Sequence, residues 1–216
     1  MIRNANWLQL IFFAVVVKPL MAIVFGLNIR RRELLPLKGP AIIVANHNSH
    51  LDAMVLMSMF PLLSLNAVRP AAAMDYFLRY KWLAWFSQTI MGIIPIDRAG
   101  REKGKDPIAA LEKALANDDI LLIFPEGSRG EPEVMTTFKK GVAHLVERRP
   151  EAAVVPVFMH GLGMSLPRGA AIPVPLFLDV FVGPPLTWQG DRDAFMRSLL
   201  EQMDELRDEG GFAEYE

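Results

Sequence analysis

The sequence contains no cysteine, which excludes disulfide bonds, thiolate catalysis and cysteine-ligated metal sites. It also lacks an excess of charge of either sign: its net charge is −1, so the whole chain has no electrostatic attraction to nucleic acid. Apolar residues, in contrast, are abundant, at 52% of 216 residues with a mean hydropathy of +0.24. This balance predicts one domain with a large core and an additional apolar surface that faces a membrane.

The most apolar stretch lies near the N-terminus, at residues 7–27, and contains Lys18 and Pro19 near its middle. A straight helix of that length would reach roughly 30 Å, about the thickness of a bilayer core. Proline breaks or kinks a helix, and a charge at mid-bilayer is costly. We therefore expect two short apolar helices that enter one leaflet, within an N-terminal membrane-associating helical segment at residues 1–35.

Three arginines, Arg30, Arg31 and Arg32, directly follow this stretch. Basic residues that flank an apolar segment bind anionic headgroups on the cytoplasmic side of a membrane. A solvated turn after a core helix is the alternative. The apolar stretch and its basic flank together favour a monotopic or peripheral protein of the cytoplasmic membrane, with its active site facing the cytoplasm.

Along the rest of the chain, residues 36–216, short apolar runs alternate with stretches of helical periodicity. The apolar runs predict buried strands. The predicted strands are 41–46, 67–73, 92–96, 120–124, 152–159 and 177–183. The predicted helices are 51–60, 76–91, 107–117, 139–149 and 193–209. This alternation predicts a single α/β domain with a mixed, mostly parallel sheet flanked by helices.

Polar residues of unusual type follow three of these strands: His47, Asp97 with Arg98, and the run 126–129. Ligands of α/β sheets bind outside the carboxyl ends of the strands. We therefore expect these three loops to share one crevice.

The stretch NHNSHLD, residues 46–52, has three interpretations. His47 can act as a general base with Asp52 fixing its tautomer, which is half of a catalytic triad. Alternatively, Ser49 and Asp52 form a capping box at a helix start. A third possibility is a metal site of His47, His50 and Asp52, although that spacing has no i, i+4 pair and no cysteine support.

The other loops offer cations and hydroxyls rather than metal ligands, so we predict no metal and no cofactor. Arginine and lysine side chains, with a glycine that lets backbone approach, suit a phosphate monoester. The candidate binding residues are Arg98, Glu126, Gly127, Ser128, Arg129 and Lys139.

Four blocks in this order, NHNSHLD, GIIPIDR, FPEGSRG and VVPV, resemble those of the glycerolipid acyltransferase family. The resemblance covers about residues 36 to 190. It implies that His47 is the general base, that Asp52 orients it, and that Arg98, Glu126, Gly127 and Arg129 bind the acceptor. Lys139 matches a basic position assigned to the phosphate, and Pro156 lies in the fourth block. Ser128 replaces the usual threonine and keeps its hydroxyl, and Gly130 stands where serine is frequent.

The resemblance further implies transfer of a fatty acyl group from acyl-CoA or acyl carrier protein to lysophosphatidic acid, giving phosphatidic acid. The expected partners are this donor, a lysophospholipid acceptor and the membrane, without nucleic acid. Glycerol 3-phosphate or another lysophospholipid is an alternative acceptor. A metal-dependent hydrolase using His47, His50 and Asp52, and a non-catalytic lipid-binding protein, are alternatives of other classes.

Overall fold

The computed structural model describes residues 6–49, 51–74, 80–97, 106–128, 134–165 and 177–212. Seven strands form one sheet: β1 (Gly26–Arg30), β2 (Ala41–Ala45), β3 (Val68–Ala73), β4 (Ile94–Ile96), β5 (Ile120–Ile123), β6 (Ala153–His160) and β7 (Phe177–Val182). The helices are α1 (Trp7–Phe12), α2 (Lys18–Ile23), α3 (Asp52–Ser58), α4 (Lys81–Thr89), α5 (Ala109–Ala116), α6 (Gly141–Arg148), α7 (Leu162–Ser165) and α8 (Arg192–Gly210). A π-helical stretch, Phe13–Val17, joins α1 to α2, and Leu62–Ala67 is a 3₁₀ helix.

The strand order is β1-β7-β6-β2-β5-β3-β4, and every neighbouring pair is parallel except β6 with β7. The prediction of an α/β domain with a mixed, mostly parallel sheet is therefore confirmed. The three central strands are buried on both faces because helices cover both sides, which is why they read as continuous apolar runs.

Two layers of helices enclose the sheet. Alternate residues of β2 separate into two apolar clusters, with Ile43 in one and Ile42 and Val44 in the other. The first cluster includes residues from the π-helical stretch, α2 and α3, with Phe12 of α1 packed against it, and the second includes residues from α5, α6 and α8. The domain is thus a three-layer sandwich, and its N-terminal helices supply part of the core.

The N-terminal stretch differs from its prediction in two ways. The helical backbone continues through Pro19, because the π-helical stretch just before it changes the hydrogen-bond register where the proline lacks an N–H. Residues 26–30 then form β1, which pairs with β7 at the edge of the sheet instead of continuing a helix. In the described part of the chain, no helix is long and apolar enough to cross a membrane.

The basic residues after β1 bind protein groups. Arg31 adopts a left-handed backbone conformation and donates two hydrogen bonds to the Glu209 carboxylate, the closer at 2.6 Å. Its Nε also donates to the carbonyl of Val182, and Arg32 donates to the carbonyl of Met59. These contacts attach β1 to the C-terminal helix α8 and to the end of α3.

Candidate active site

The carboxyl ends of β2 and β5 bring two of the predicted loops together. The two strands are adjacent and parallel, with Val44 opposite Ile123. The chain then turns into His47 after β2 and into Glu126 after β5. The backbone N–H of His47 donates to Glu126 Oε1 at 2.9 Å. Two of the three loops expected to share a crevice thus meet at this edge of the sheet, because neighbouring parallel strands end side by side.

His47 and Asp52 form a hydrogen-bonded pair, with Nδ1 of the imidazole 2.8 Å from Asp52 Oδ2. The same oxygen accepts the backbone N–H groups of Asn48 at 2.7 Å and Ser49 at 2.9 Å. Backbone N–H groups that donate to one oxygen stabilise the ionised form of a carboxyl group. The Asp52 side chain is fully buried, whereas that of His47 is 22% exposed. The pair thus has a fixed, buried carboxylate and an accessible ring.

The hydrogen bond to Asp52 selects a tautomer of His47. When the carboxyl is ionised, the bond requires a proton on Nδ1, which leaves Nε2 of the neutral ring as the acceptor. The ring stacks on Phe124, with ring centroids 4.4 Å apart and an interplanar angle of 21°. Phe124 comes directly after β5, so strand and stack together hold the imidazole in one orientation. The geometry is that of an imidazole oriented by a carboxylate, which is the arrangement that a general base requires.

The environment of Asp52 influences its protonation. Burial raises the pKa of the Asp52 carboxyl above its usual range, while hydrogen bonding to His47 and the N–H groups of Ser49 and Asn48 opposes the rise. Such a carboxylate is most stable when a positive charge develops next to it. That charge appears when His47 accepts a proton.

The capping interpretation also describes part of what Asp52 does. Asp52 is the first residue of α3, and its carboxylate reaches back to the N–H of Ser49, as in a capping box. The residue that precedes the helix is Leu51, whose side chain cannot cap. One carboxylate therefore serves both the loop backbone and the imidazole, so the two interpretations are compatible.

Lys139 is carried to the turn after β5 by the segment that leads into α6. Its backbone N–H donates to the carbonyl of Pro125 at 2.9 Å. Gly127 has a φ of +80°, and a Cβ added there would lie 2.5 Å from Lys139 Nζ. The lysine side chain thus crosses the turn where glycine leaves room for it, which explains the glycine at this position. Ser128 is exposed at the end of the same turn.

Three residues named from the sequence, His50, Arg98 and Arg129, lie outside the described residues, as does Gly130. The roles of Arg98 and Arg129 therefore stay predictions, as do the binding roles of Glu126, Gly127, Ser128 and Lys139. Within the described ranges, no group of three His, Cys, Asp or Glu side chains is placed to hold a metal ion.

Two residues that sequence analysis did not single out fasten the site. The Asn46 side chain donates to the carbonyl of Met159 and accepts the Met159 N–H, both at 2.8 Å, so it ties the loop after β2 to β6. Thr136 donates from its hydroxyl to Glu126 Oε2 at 2.7 Å. A polar residue such as Asn46 directly after a buried apolar strand could have indicated a site contact from the sequence. No local pattern indicated Thr136, because it lies ten residues from its partner.

Comparison with known proteins agrees with this geometry. A family model described as Acyltransferase matches residues 26–160. Curated relatives include 1-acyl-sn-glycerol-3-phosphate acyltransferase LPAT1 of Arabidopsis thaliana, 29% identical over 68% of this chain and 39% of the relative. The corresponding Saccharomyces cerevisiae protein is 33% identical over 56% of this chain and 38% of its own length. The chain thus spans about two fifths of the length of these relatives.

A solved structure shares the fold. The crystal structure of the 1-acyl-sn-glycerophosphate acyltransferase PlsC from Thermotoga maritima superposes with a TM-score of 0.74 at 15% sequence identity. The superposition covers 95% of this chain and 81% of the other. The family match extends over more than half of the sequence and includes the His47–Asp52 pair and the turn at Glu126. This chain therefore belongs to the acyltransferase family, as the four sequence blocks predicted.

Proposed function

We propose that this protein transfers a fatty acyl group from a thioester donor, acyl-CoA or acyl carrier protein, to the free hydroxyl of lysophosphatidic acid. The observation that carries the proposal is the oriented His47–Asp52 pair beside the Gly127 turn that Lys139 crosses. The names of the relatives support lysophosphatidic acid as the acceptor. The product of this transfer is phosphatidic acid.

The proposed reaction uses His47 Nε2 as the base. Nε2 removes the proton of the acceptor hydroxyl while the hydroxyl oxygen attacks the thioester carbonyl carbon. The tetrahedral intermediate collapses, the carbon–sulfur bond breaks, and the thiolate takes the proton from the imidazolium. Asp52 accepts a hydrogen bond from Nδ1 throughout and stabilises the imidazolium. An ester and a free thiol result, and the histidine returns to its starting state.

The phosphate of the acceptor is held by the cationic side of the crevice in this proposal. Lys139 supplies an ammonium group above Gly127, and Ser128 supplies a hydroxyl at the end of that turn. Arg98 and Arg129 add guanidinium groups in the roles that the sequence resemblance implies. Binding the phosphate places the acceptor hydroxyl near His47 and turns a bimolecular encounter into a positioned one.

The direct test is an acyl-transfer assay of the purified protein in detergent micelles. Lysophosphatidic acid is offered with acyl-CoA or acylated carrier protein, and free thiol and phosphatidic acid are measured over time. We expect both products to appear in equal amounts. Transfer to glycerol 3-phosphate or to a lysophospholipid with a larger headgroup, in place of lysophosphatidic acid, would contradict the proposed acceptor. Failure of a folded protein with every acceptor and both donors would contradict the activity.

We also propose that the protein binds the surface of the membrane that contains its acceptor. Trp7 on α1 is 71% exposed, and Trp82 and Trp85 on α4 are 69% and 55% exposed. The two helices are in contact, since the ring centroids of Phe12 and Phe86 lie 5.3 Å apart. Exposed aromatic side chains on adjoining elements are typical of membrane-interface surfaces. This proposal places the protein on the cytoplasmic membrane, with its active site on the cytoplasmic side.

Vesicle binding tests this surface. We expect the parent protein to sediment with phosphatidylglycerol–phosphatidylethanolamine vesicles, and the double variant Trp82→Ser, Trp85→Ser to sediment markedly less. Because both indoles are exposed, the double variant should unfold at the same urea concentration as the parent. Equal sedimentation of the two proteins would show that α4 does not contact the membrane.

A further inference from the structure

Glu126 is a buried carboxylate whose two oxygens both accept hydrogen bonds from the protein. It is 4% exposed. Oε1 accepts the backbone N–H of His47 at 2.9 Å, and Oε2 accepts the Thr136 hydroxyl at 2.7 Å and its backbone N–H at 3.3 Å. A buried carboxylate is costly unless such donors satisfy it. These contacts give Glu126 a structural role, which is separate from any direct contact with the acceptor.

The two partners of Glu126 belong to different parts of the site. His47 follows β2 and carries the base, whereas Thr136 lies three residues before Lys139 on the segment that leads into α6. That segment is also held by the bond from the Lys139 N–H to the carbonyl of Pro125. The side chain of Glu126 therefore connects the backbone that carries the base to the segment that carries the lysine.

The distance between these two functional groups matters for the proposed reaction. A phosphate bound by Lys139 fixes where the acceptor hydroxyl lies, and Nε2 of His47 has to meet that hydroxyl. Small displacements of one group relative to the other reduce the rate strongly, because the reacting atoms must lie about 3–3.5 Å apart. A connection between the two segments is thus a means to maintain the reaction geometry.

We propose that Glu126 is a positioning residue which, through Thr136, holds the Lys139 segment in register with His47. This inference rests on the proposed function, since it concerns the alignment of the base with an acceptor bound through its phosphate. It assigns Thr136 a role in acceptor use, although Thr136 is exposed and its hydroxyl is directed to Glu126.

Thr136→Val tests the connection with the least disturbance, because valine keeps the shape and removes the hydroxyl. We expect kcat/KM for lysophosphatidic acid to fall by about 5-fold, the typical effect of one lost hydrogen bond. Thr136→Ser keeps the hydroxyl and should restore most of the rate. Thr137→Val, at the exposed neighbouring threonine, is the matched control and should leave the rate unchanged.

A double-mutant cycle separates positioning from a general structural effect. If Thr136 acts through Lys139, Thr136→Val should have less than about a 2-fold effect in a Lys139→Met background. Fully multiplicative effects of the two substitutions would overturn the inference. An unchanged kcat/KM of Thr136→Val in the parent background would overturn it as well.

Glu126→Gln provides a readout that does not depend on activity. Both carboxylate oxygens accept backbone N–H groups, so either orientation of the amide places an NH₂ group against an N–H donor. We expect faster hydrogen–deuterium exchange at residues 46–49 and about a 100-fold loss of kcat/KM. Unchanged exchange would contradict the connection even if the proposed acyl transfer were correct. If the parent protein transferred no acyl group but exchange increased in the variant, the proposed function would fail while the connection stood.

Discussion

A His47→Ala variant is expected to transfer acyl groups about 10²- to 10⁴-fold more slowly than the parent protein while still binding the acceptor. The substitution removes Nε2, which is the proton acceptor in the proposed mechanism. It leaves Lys139 and the turn at Gly127 in place, so acceptor binding should change little. The measurement is kcat and KM for lysophosphatidic acid, with free thiol as the readout. The expected signature is a fall in kcat at nearly constant KM.

The matched control is His144→Ala, in the middle of α6 and separate from the His47–Asp52 pair. This variant loses a half-buried histidine without touching the base, so its kcat should remain close to that of the parent. A His47→Ala protein with normal kcat would show that another group removes the proton. Equal losses in the two variants would indicate a stability effect, which urea unfolding of both proteins would detect.

The central sheet could be predicted from sequence because its strands are buried on both faces. AIIVA and ILLI are continuous apolar runs, which is the pattern of inner strands in a parallel sheet. Their observed ends fall one residue before the predicted ones. The placement of His47 and Glu126 side by side then followed from the rule that parallel strands end at the same edge.

The edge strand β1 could not be predicted in the same way. Its sequence GLNIR is short and contains glycine and asparagine, both of which are uncommon in strands. Its hydrogen-bonding partner β7 lies 151 residues further along the chain, where Asn28 is opposite Asp179. The Asn28 amide donates to the Asp179 carboxylate at 2.8 Å, and this long-range contact stabilises the pairing. The sequence around residues 26–30 does not indicate which strand pairs with it.

The candidate site shows the same division between local and distant contacts. The His47–Asp52 pair was predicted because both side chains belong to one seven-residue stretch. The contact of Glu126 with the His47 N–H was not predicted. Every residue other than proline has a backbone N–H, so the sequence does not identify which one donates to Glu126. The resemblance assigned Glu126 to the acceptor, and that role stays a prediction; its two oxygens accept hydrogen bonds from His47 and Thr136.

Asp52→Asn is expected to lower kcat by about 10²- to 10⁴-fold with little change in KM, because the loss of the carboxylate removes the partner of the imidazolium. Asparagine can still accept the N–H groups of Asn48 and Ser49, so the loop should keep its shape. It no longer carries the negative charge that stabilises protonated His47 and sets its tautomer. The measurement is kcat beside Asp204→Asn, a control on α8 whose half-exposed carboxylate pairs with Arg207.

The same variant should also change how stability depends on pH. Burial raises the pKa of Asp52, so the folded state binds this proton more tightly than the unfolded state, whose pKa is near the ordinary 3.8. Ionised Asp52 therefore costs folding free energy, and that cost grows as the pH rises from the unfolded-state pKa through the folded-state pKa, above which it is constant. Asparagine does not ionise, so the unfolding free energy of Asp52→Asn relative to the parent should improve as the pH rises above about 4. A relative stability that worsens over this range would mean that the hydrogen bonds to Oδ2 outweigh the burial of its charge.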